Sequence, residues 1–149
     1  MTKKEFLKIW NRMKVAKIEE MPKARFERLN KAIMGMKLAK IDVLTYNGRP
    51  EKVEYKTREL VARCPMTGLP DFYKLRITYI PKKRIPELKS FKNYLFEYFD
   101  LPITHEQLAS KIYEDFTKTI KPKSCYLCLR AARRGGIDTR VEIGDTSLR

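Results

Sequence analysis

Tyr73, Leu75, Ile77 and Tyr79 alternate with Lys74, Arg76 and Thr78, a period of two that suits a strand with one buried face. A second such run opens at Val53, Tyr55 and Thr57 and reaches Cys64. Between them lies Arg63-Cys64-Pro65-Met66-Thr67-Gly68-Leu69-Pro70-Asp71, where two prolines fix φ and Gly68 tolerates φ > 0. The two strands are therefore expected to pair antiparallel across this turn. So constrained a segment can hold a thiol, Cys64, and a carboxylate, Asp71, in a repeatable geometry, as a nucleophile and its proton partner require. Spacing alone equally allows a strand-ending cysteine packed as a small hydrophobe before an ordinary turn.

The rest of the chain supplies helices and two more strands. Pro86-Glu87 is expected to open a helix whose buried side carries Phe91, Leu95 and Tyr98 up to Asp100. Thr104 with Gln107 forms a capping box, and Leu108, Ile112 and Phe116 run down one face toward Ile120, before Pro122. Cys125, Leu127, Leu129 and Ala131 then alternate with Tyr126, Cys128 and Arg130. The turn Arg133-Arg134-Gly135-Gly136 leads into a last strand through Ile137, Thr139, Val141 and Ile143. The order strand, strand, helix, helix, strand, strand predicts an α+β layer pair: one four-stranded antiparallel sheet with two helices on one face. Its other face and open edges would need covering, which adjoining copies of the chain could do.

Before Tyr46 the period is helical. Thr2 and Glu5 have capping-box spacing, and Phe6, Trp10 and Met13 continue a first helix expected to end near Met21-Pro22. Phe26, Leu29, Ile33 and Met36 form a second, to about Leu38. Residues 1–50 hold 13 Lys and Arg against 5 Asp and Glu, so they carry +8 of the chain's +15. This basic helical pair is expected either to pack on the body or on a neighbouring subunit, or to act as an electrostatic arm for nucleic acid. With Tyr46-Asn47-Gly48-Arg49-Pro50 as a linker, the expected division is an extension, 1–50, and a catalytic unit, 51–149.

At 149 residues the chain can bury a real core without disulfides, and its three cysteines suggest no disulfide framework. No run approaches the ~20 apolar residues of a membrane span, and the N-terminus has no signal-like apolar stretch, so a soluble cytoplasmic protein is expected. Cys125-Tyr126-Leu127-Cys128 spells C-x-x-C, but on a strand the two thiols face opposite ways, and His105 is the only histidine, so no metal is expected. His105 and Glu106 fall in the first turn of the second body helix, where a carboxylate complements the dipole or, at a pocket edge, accepts two parallel hydrogen bonds from a guanine-like edge. Lys89 and Lys92 share a helix face, spaced to meet phosphates or simply solvated. The Arg133–Gly136 turn could let an anion approach the backbone or close an ordinary hairpin.

Four of these segments, in this order, resemble the motifs of the 7-cyano-7-deazaguanine reductases, the nitrile reductases of queuosine biosynthesis. They are Cys64-Pro65 through Thr67-Gly68 with Pro70-Asp71; Glu87-Leu88-Lys89-Ser90-Phe91-Lys92 with Tyr94; His105-Glu106; and Arg134-Gly135-Gly136-Ile137. The resemblance spans roughly residues 55–140. It implies the tunnelling fold, NADPH as cofactor, and a homo-oligomer with active sites between subunits. It also implies roles. Cys64 would attack the nitrile carbon of 7-cyano-7-deazaguanine to give a thioimide, Asp71 would move protons, and His105 would line the pocket and assist the intermediate. Glu106 would hold the guanine-like edge. Glu87, Lys89, Ser90 and Lys92, with Arg134 and Gly135, would meet NADPH. Asn93, Met66 and Leu69 depart from the family pattern. The alternative is an amidinotransferase like the archaeosine-forming relatives, in which ammonia attacks the same thioimide on a base already in tRNA; the charge favours it and retention of Glu87–Lys92 opposes it. A non-catalytic nucleic-acid-binding module would leave Cys64, Asp71 and Glu106 without purpose, and a GTP cyclohydrolase of this fold would need a histidine-containing zinc set that the chain lacks.

Overall fold

The computed structural model describes residues 1–13, 23–49 and 51–149. The elements run α1 (Lys3–Met13), α2 (Lys23–Met34), β1 (Val43–Thr45), β2 (Val53–Arg63), β3 (Pro70–Ile80), β4 (Arg84–Pro86), α3 (Leu88–Phe96), α4 (His105–Ile120), β5 (Ser124–Ala131) and β6 (Arg140–Gly144). The side chains of Trp10 and Met13, the first helix's expected end at Met21-Pro22, and Pro50 lie outside the described residues.

The expected sheet is there, antiparallel throughout in the order β2-β3-β5-β6. Its register holds one feature the alternation hides. On β2 the residues facing the helices are odd-numbered up to Thr57 and even-numbered from Leu60, a change of phase that would turn half the strand outward in a regular ladder. A bulge resolves it: Thr57 pairs Leu75 and Leu60 pairs Tyr73, so Arg58 and Glu59 together oppose Lys74. Tyr73, Leu75, Ile77 and Tyr79 on β3 and Leu127 and Leu129 on β5 thus meet Leu108, Ile112 and Phe116 of α4 and Phe91 and Leu95 of α3 in one core. Cys125 belongs to that core, whereas Cys128 lies in a small cluster with Tyr126 and Leu148, so the two thiols do face opposite ways.

The N-terminal helices join this core. Phe6, Leu29, Ile33 and Met36 are all buried in it, so the apolar stripe of residues 1–50 is used in packing on the chain's own body. A charged group secures the contact. Lys111, 3% exposed on α4, donates to the carbonyl of Met34 at 3.4 Å, where α2 ends with carbonyls its own turns cannot satisfy. Its ammonium also lies 3.1 Å from Asp115, whose carboxylate accepts from Tyr94, and Tyr94 is linked to Tyr98. Burial pushes the ionisation of both phenols well above its ordinary range.

Two boundaries differ from expectation. Pro86 does not open α3: it pairs with Val43 in a small β1–β4 ribbon, and α3 starts at Leu88 with Glu87 as its N-cap. The carboxylate of Glu87 accepts from Lys89 N at 2.9 Å and Ser90 N at 2.7 Å, doing for the helix what Ser or Asp does more commonly. The ribbon has three-residue strands and no periodic signature. The last strand begins at Arg140, because Arg134 and Ile137 exchange hydrogen bonds across Gly135 and Gly136, whose φ values of +53° and +78° make a primed hairpin turn. Among the described residues no helix is long and apolar enough to cross a membrane.

Candidate active site

The site is assembled where β2 ends. Arg63 N donates to Leu101 O at 2.9 Å, and Ile103 N donates to Arg63 O at 3.0 Å, so the segment leading into α4 is tied to the residue before Cys64. The cysteine turn closes on itself: Cys64 N donates to Leu69 O and Gly68 N to Cys64 O, both at 2.8 Å, with Gly68 at φ +71°. Thr104 caps α4 by accepting from Gln107 N, as its sequence position suggests. The thiol and the first turn of α4 are therefore neighbours through backbone contacts.

A cavity of about 360 Å³ opens there. Cys64, Asp71, His105, Glu106 and Arg134 line it, and Met66, Leu69 and Ile103 give it an apolar wall. Its size and mixture of an apolar wall with a few convergent polar groups suit a small heterocycle. Five of the residues picked out by sequence, Cys64, Asp71, His105, Glu106 and Arg134, thus share one pocket, with Cys64 partly accessible and Glu106 partly exposed. No side chain among the described residues donates to the Glu106 carboxylate.

Asp71 is almost wholly buried on β3 and is not alone. Arg134 Nε lies 2.9 Å from Asp71 Oδ1, and the same guanidinium donates to the carbonyl of Pro70. The resemblance implies a cofactor contact for Arg134; in this structure it also neutralises a buried carboxylate, leaving Oδ2 without a donor among the described residues. The second group that spacing did not reveal is Tyr73, whose hydroxyl lies 2.8 Å from His105 Nδ1. Period two puts Tyr73 on the same face as Asp71, and that was the available signal.

The α3 motif lies elsewhere. Lys92, Leu88 and Phe91 line a separate groove of about 370 Å³ along β2 with Lys56 and Leu75, and this groove shares no lining residue with the Cys64 cavity. Lys89 and Lys92 are exposed. Ser90 is occupied internally, its hydroxyl accepting from Asp42 N at 2.9 Å and donating to Glu87 O at 2.7 Å. Gly135 projects where an added Cβ would meet nothing within 4 Å.

A family model described as QueF-like protein matches residues 70–148, more than half of the sequence. The chain belongs to the QueF-like family. The match takes in Asp71, the α3 motif, His105-Glu106 and Arg134, with Cys64 just ahead of it. Among similar proteins, the NADPH-dependent 7-cyano-7-deazaguanine reductase of Thermoanaerobacter pseudethanolicus is 44% identical over 95 residues, which cover 62% of this QueF-like chain and 71% of that one. The protein of the same name from Chlorobium chlorochromatii is 36% identical over 102 residues, covering 68% and 88%. A crystal structure of the archaeosine synthase QueF-Like in the apo form matches with a TM-score of 0.61 at 24% identity, over 65% of this chain and 95% of that one. That likeness carries the fold, and the architecture is the tunnelling fold expected from the motifs.

Proposed function

We propose that the chain is an NADPH-dependent reductase converting the nitrile of 7-cyano-7-deazaguanine to an aminomethyl group, a step of queuosine biosynthesis in the cytoplasm. The observation that carries this reading is the single cavity shared by Cys64, Asp71, His105 and Glu106. Two relatives 44% and 36% identical, both named for that reaction, support it.

The residues then divide the work. Cys64 gives its proton to Asp71 Oδ2 and its sulfur bonds the nitrile carbon; the proton passes on to the nitrile nitrogen, giving a thioimide. A free nitrile is a poor hydride acceptor, whereas the thioimide, once it takes a second proton from solvent, carries positive charge at carbon. Bound NADPH supplies the hydrides, two over the whole reaction. Between the two hydrides the carbon–sulfur bond would break, returning the Cys64 thiolate and leaving a protonated imine, which the second hydride would turn into the amine. Glu106, exposed at the cavity rim, accepts from the guanine-like edge.

For the cofactor, the exposed ammonium groups of Lys89 and Lys92 fit phosphates, and we assign those contacts to them. Glu87 and Ser90 fit such contacts poorly, since both are engaged in starting α3 and holding it to Asp42. The Arg134-Gly135 turn borders the Cys64 cavity and remains a contact near the reacting end. Hydride transfer requires atoms about 3–3.5 Å apart. In one subunit the α3 groove and the Cys64 cavity have no lining residue in common, which supports an oligomer where one subunit's α3 faces another's Cys64. The open edges of β2 and β6 offer the means. We keep 51–149 as the catalytic unit and 1–50 as an extension, whose excess of Lys and Arg supports contact with nucleic acid.

Following nicotinamide absorbance with 7-cyano-7-deazaguanine and NADPH tests the reading, with Cys64→Ala as the control. Turnover lost in Cys64→Ala is the expected result; near-native turnover in that variant would sink the covalent mechanism. If NADPH is not consumed but ammonia converts the thioimide on a tRNA-borne base, the chain is an amidine-forming transferase.

A further inference from the structure

Tyr73 follows Asp71 by two residues on β3, on the face toward α4. Its ring meets the His105 imidazole edge-on at 5.5 Å between centroids, with the hydroxyl 2.8 Å from Nδ1. The side chain is buried, and Nδ1 is its hydroxyl's only hydrogen-bond partner among the described residues. One hydrogen occupies this contact. If Nδ1 carried it, the buried phenol O–H would have no acceptor; if the phenol donates, both groups are satisfied. The phenol also keeps its proton firmly: burial pushes its ionisation upward, and so does the negative charge of the Asp71 carboxylate, of Cys64 as thiolate and of the Glu106 carboxylate, with Arg134 opposing them.

We propose that Tyr73 is a positioning residue: by donating to Nδ1 it holds His105 as the neutral tautomer with hydrogen on Nε2, so the ring meets a ligand as a hydrogen-bond donor and not as a base. The chemical consequence rests on the nitrile-reductase reading. Deprotonation of Cys64 then falls to Asp71, while His105 Nε2–H stabilises negative charge developing on the nitrile nitrogen as sulfur adds to carbon. The backbone of His105, the first residue of α4, is fixed by the helix start; Tyr73 fixes its ring.

The experiment uses the full chain labelled with ¹⁵N-histidine. His105 is the only histidine, so one pair of ring nitrogen resonances reports it without assignment. At neutral pH the wild type is expected to show an unprotonated Nδ1 and a protonated Nε2, and Tyr73→Phe, which keeps the ring, a mixture in which Nδ1 carries hydrogen. In the NADPH assay, Tyr73→Phe is expected to lower kcat about tenfold with KM for the nitrile changed less than about twofold, the pattern of an interaction used in the transition state. A wild-type spectrum with Nδ1 protonated overturns the proposal even if Tyr73→Phe does not fold. An unchanged pattern in a folded Tyr73→Phe does the same. If the wild type reduces no nitrile, the reductase reading fails, and the spectrum still decides the tautomer.

Discussion

Replacing Arg134 by methionine removes the cation beside Asp71 while keeping much of the aliphatic stem. The Asp71 side chain is 6% exposed, that of Arg134 46%, and their closest N–O distance is 2.9 Å. Stranding one partner of a fully buried pair costs about 3–5 kcal/mol. An exposed pair is worth at most about 1 kcal/mol. A sealed carboxylate facing a half-open guanidinium falls between these limits, so Arg134→Met is expected to destabilise the fold by about 2 kcal/mol. For a chain of this size each kcal/mol moves Tm by about 2–4 °C, which gives a fall of about 4–8 °C. Thermal unfolding of wild type, Arg134→Met, Asp71→Asn and the double variant completes a cycle. With the carboxylate made neutral, the Arg134→Met loss should shrink below about 0.5 kcal/mol. An equal loss in both backgrounds would show that Arg134 acts through the Pro70 carbonyl or the glycine turn, and the pairing argument would fall.

Lys111→Met should cost about 2–3 kcal/mol in urea unfolding, since it strands Asp115 and the Met34 carbonyl, with the partial exposure of Asp115 softening the loss. A variant as stable as wild type would mean the ammonium is dispensable for docking α2. Burial pushes the Cys125 thiol up to about 12 from an ordinary value of 9.0. A raised folded value favours the protonated state, so this stabilisation is intact below pH 9 and is lost as pH rises toward 12. Iodoacetamide at pH 9 should therefore label Cys64 well before Cys125, and equal labelling rates by mass spectrometry would contradict the burial. Glu106→Ala should raise KM for the nitrile substrate at least tenfold with a smaller change in kcat, and an unchanged KM would remove Glu106 from substrate binding.

Much of this protein is legible from local pattern. The alternation on β3 and β5, the Thr104 cap and the constrained Cys64 turn all act over a few residues, so sequence spacing reports them directly. The features that escaped are through-space pairs. Arg134 meets Asp71 across 63 positions of chain and Tyr73 meets His105 across 32, separations at which spacing says nothing about contact. The β2 bulge escaped for a different reason: either phase of the strand looks regular by itself, and only the partner's register shows that Arg58 and Glu59 share one opposing residue. Glu87 and Ser90 are ambiguous for another reason: a motif associated with cofactor binding is built here from residues whose polar groups also start a helix and fasten it to Asp42.

The spacing between the backbones of Cys64 and His105 is governed by amides. Since the peptide groups of Arg63, Leu101 and Ile103 do the fastening, swapping any reacting side chain for another leaves the frame in place, and variants lacking one group can be compared as though mounted on the same bench. The substitutions that would loosen this frame are prolines at 63 or 103, which delete the donating hydrogen. A chemically intact but misaligned enzyme is what such a proline should yield.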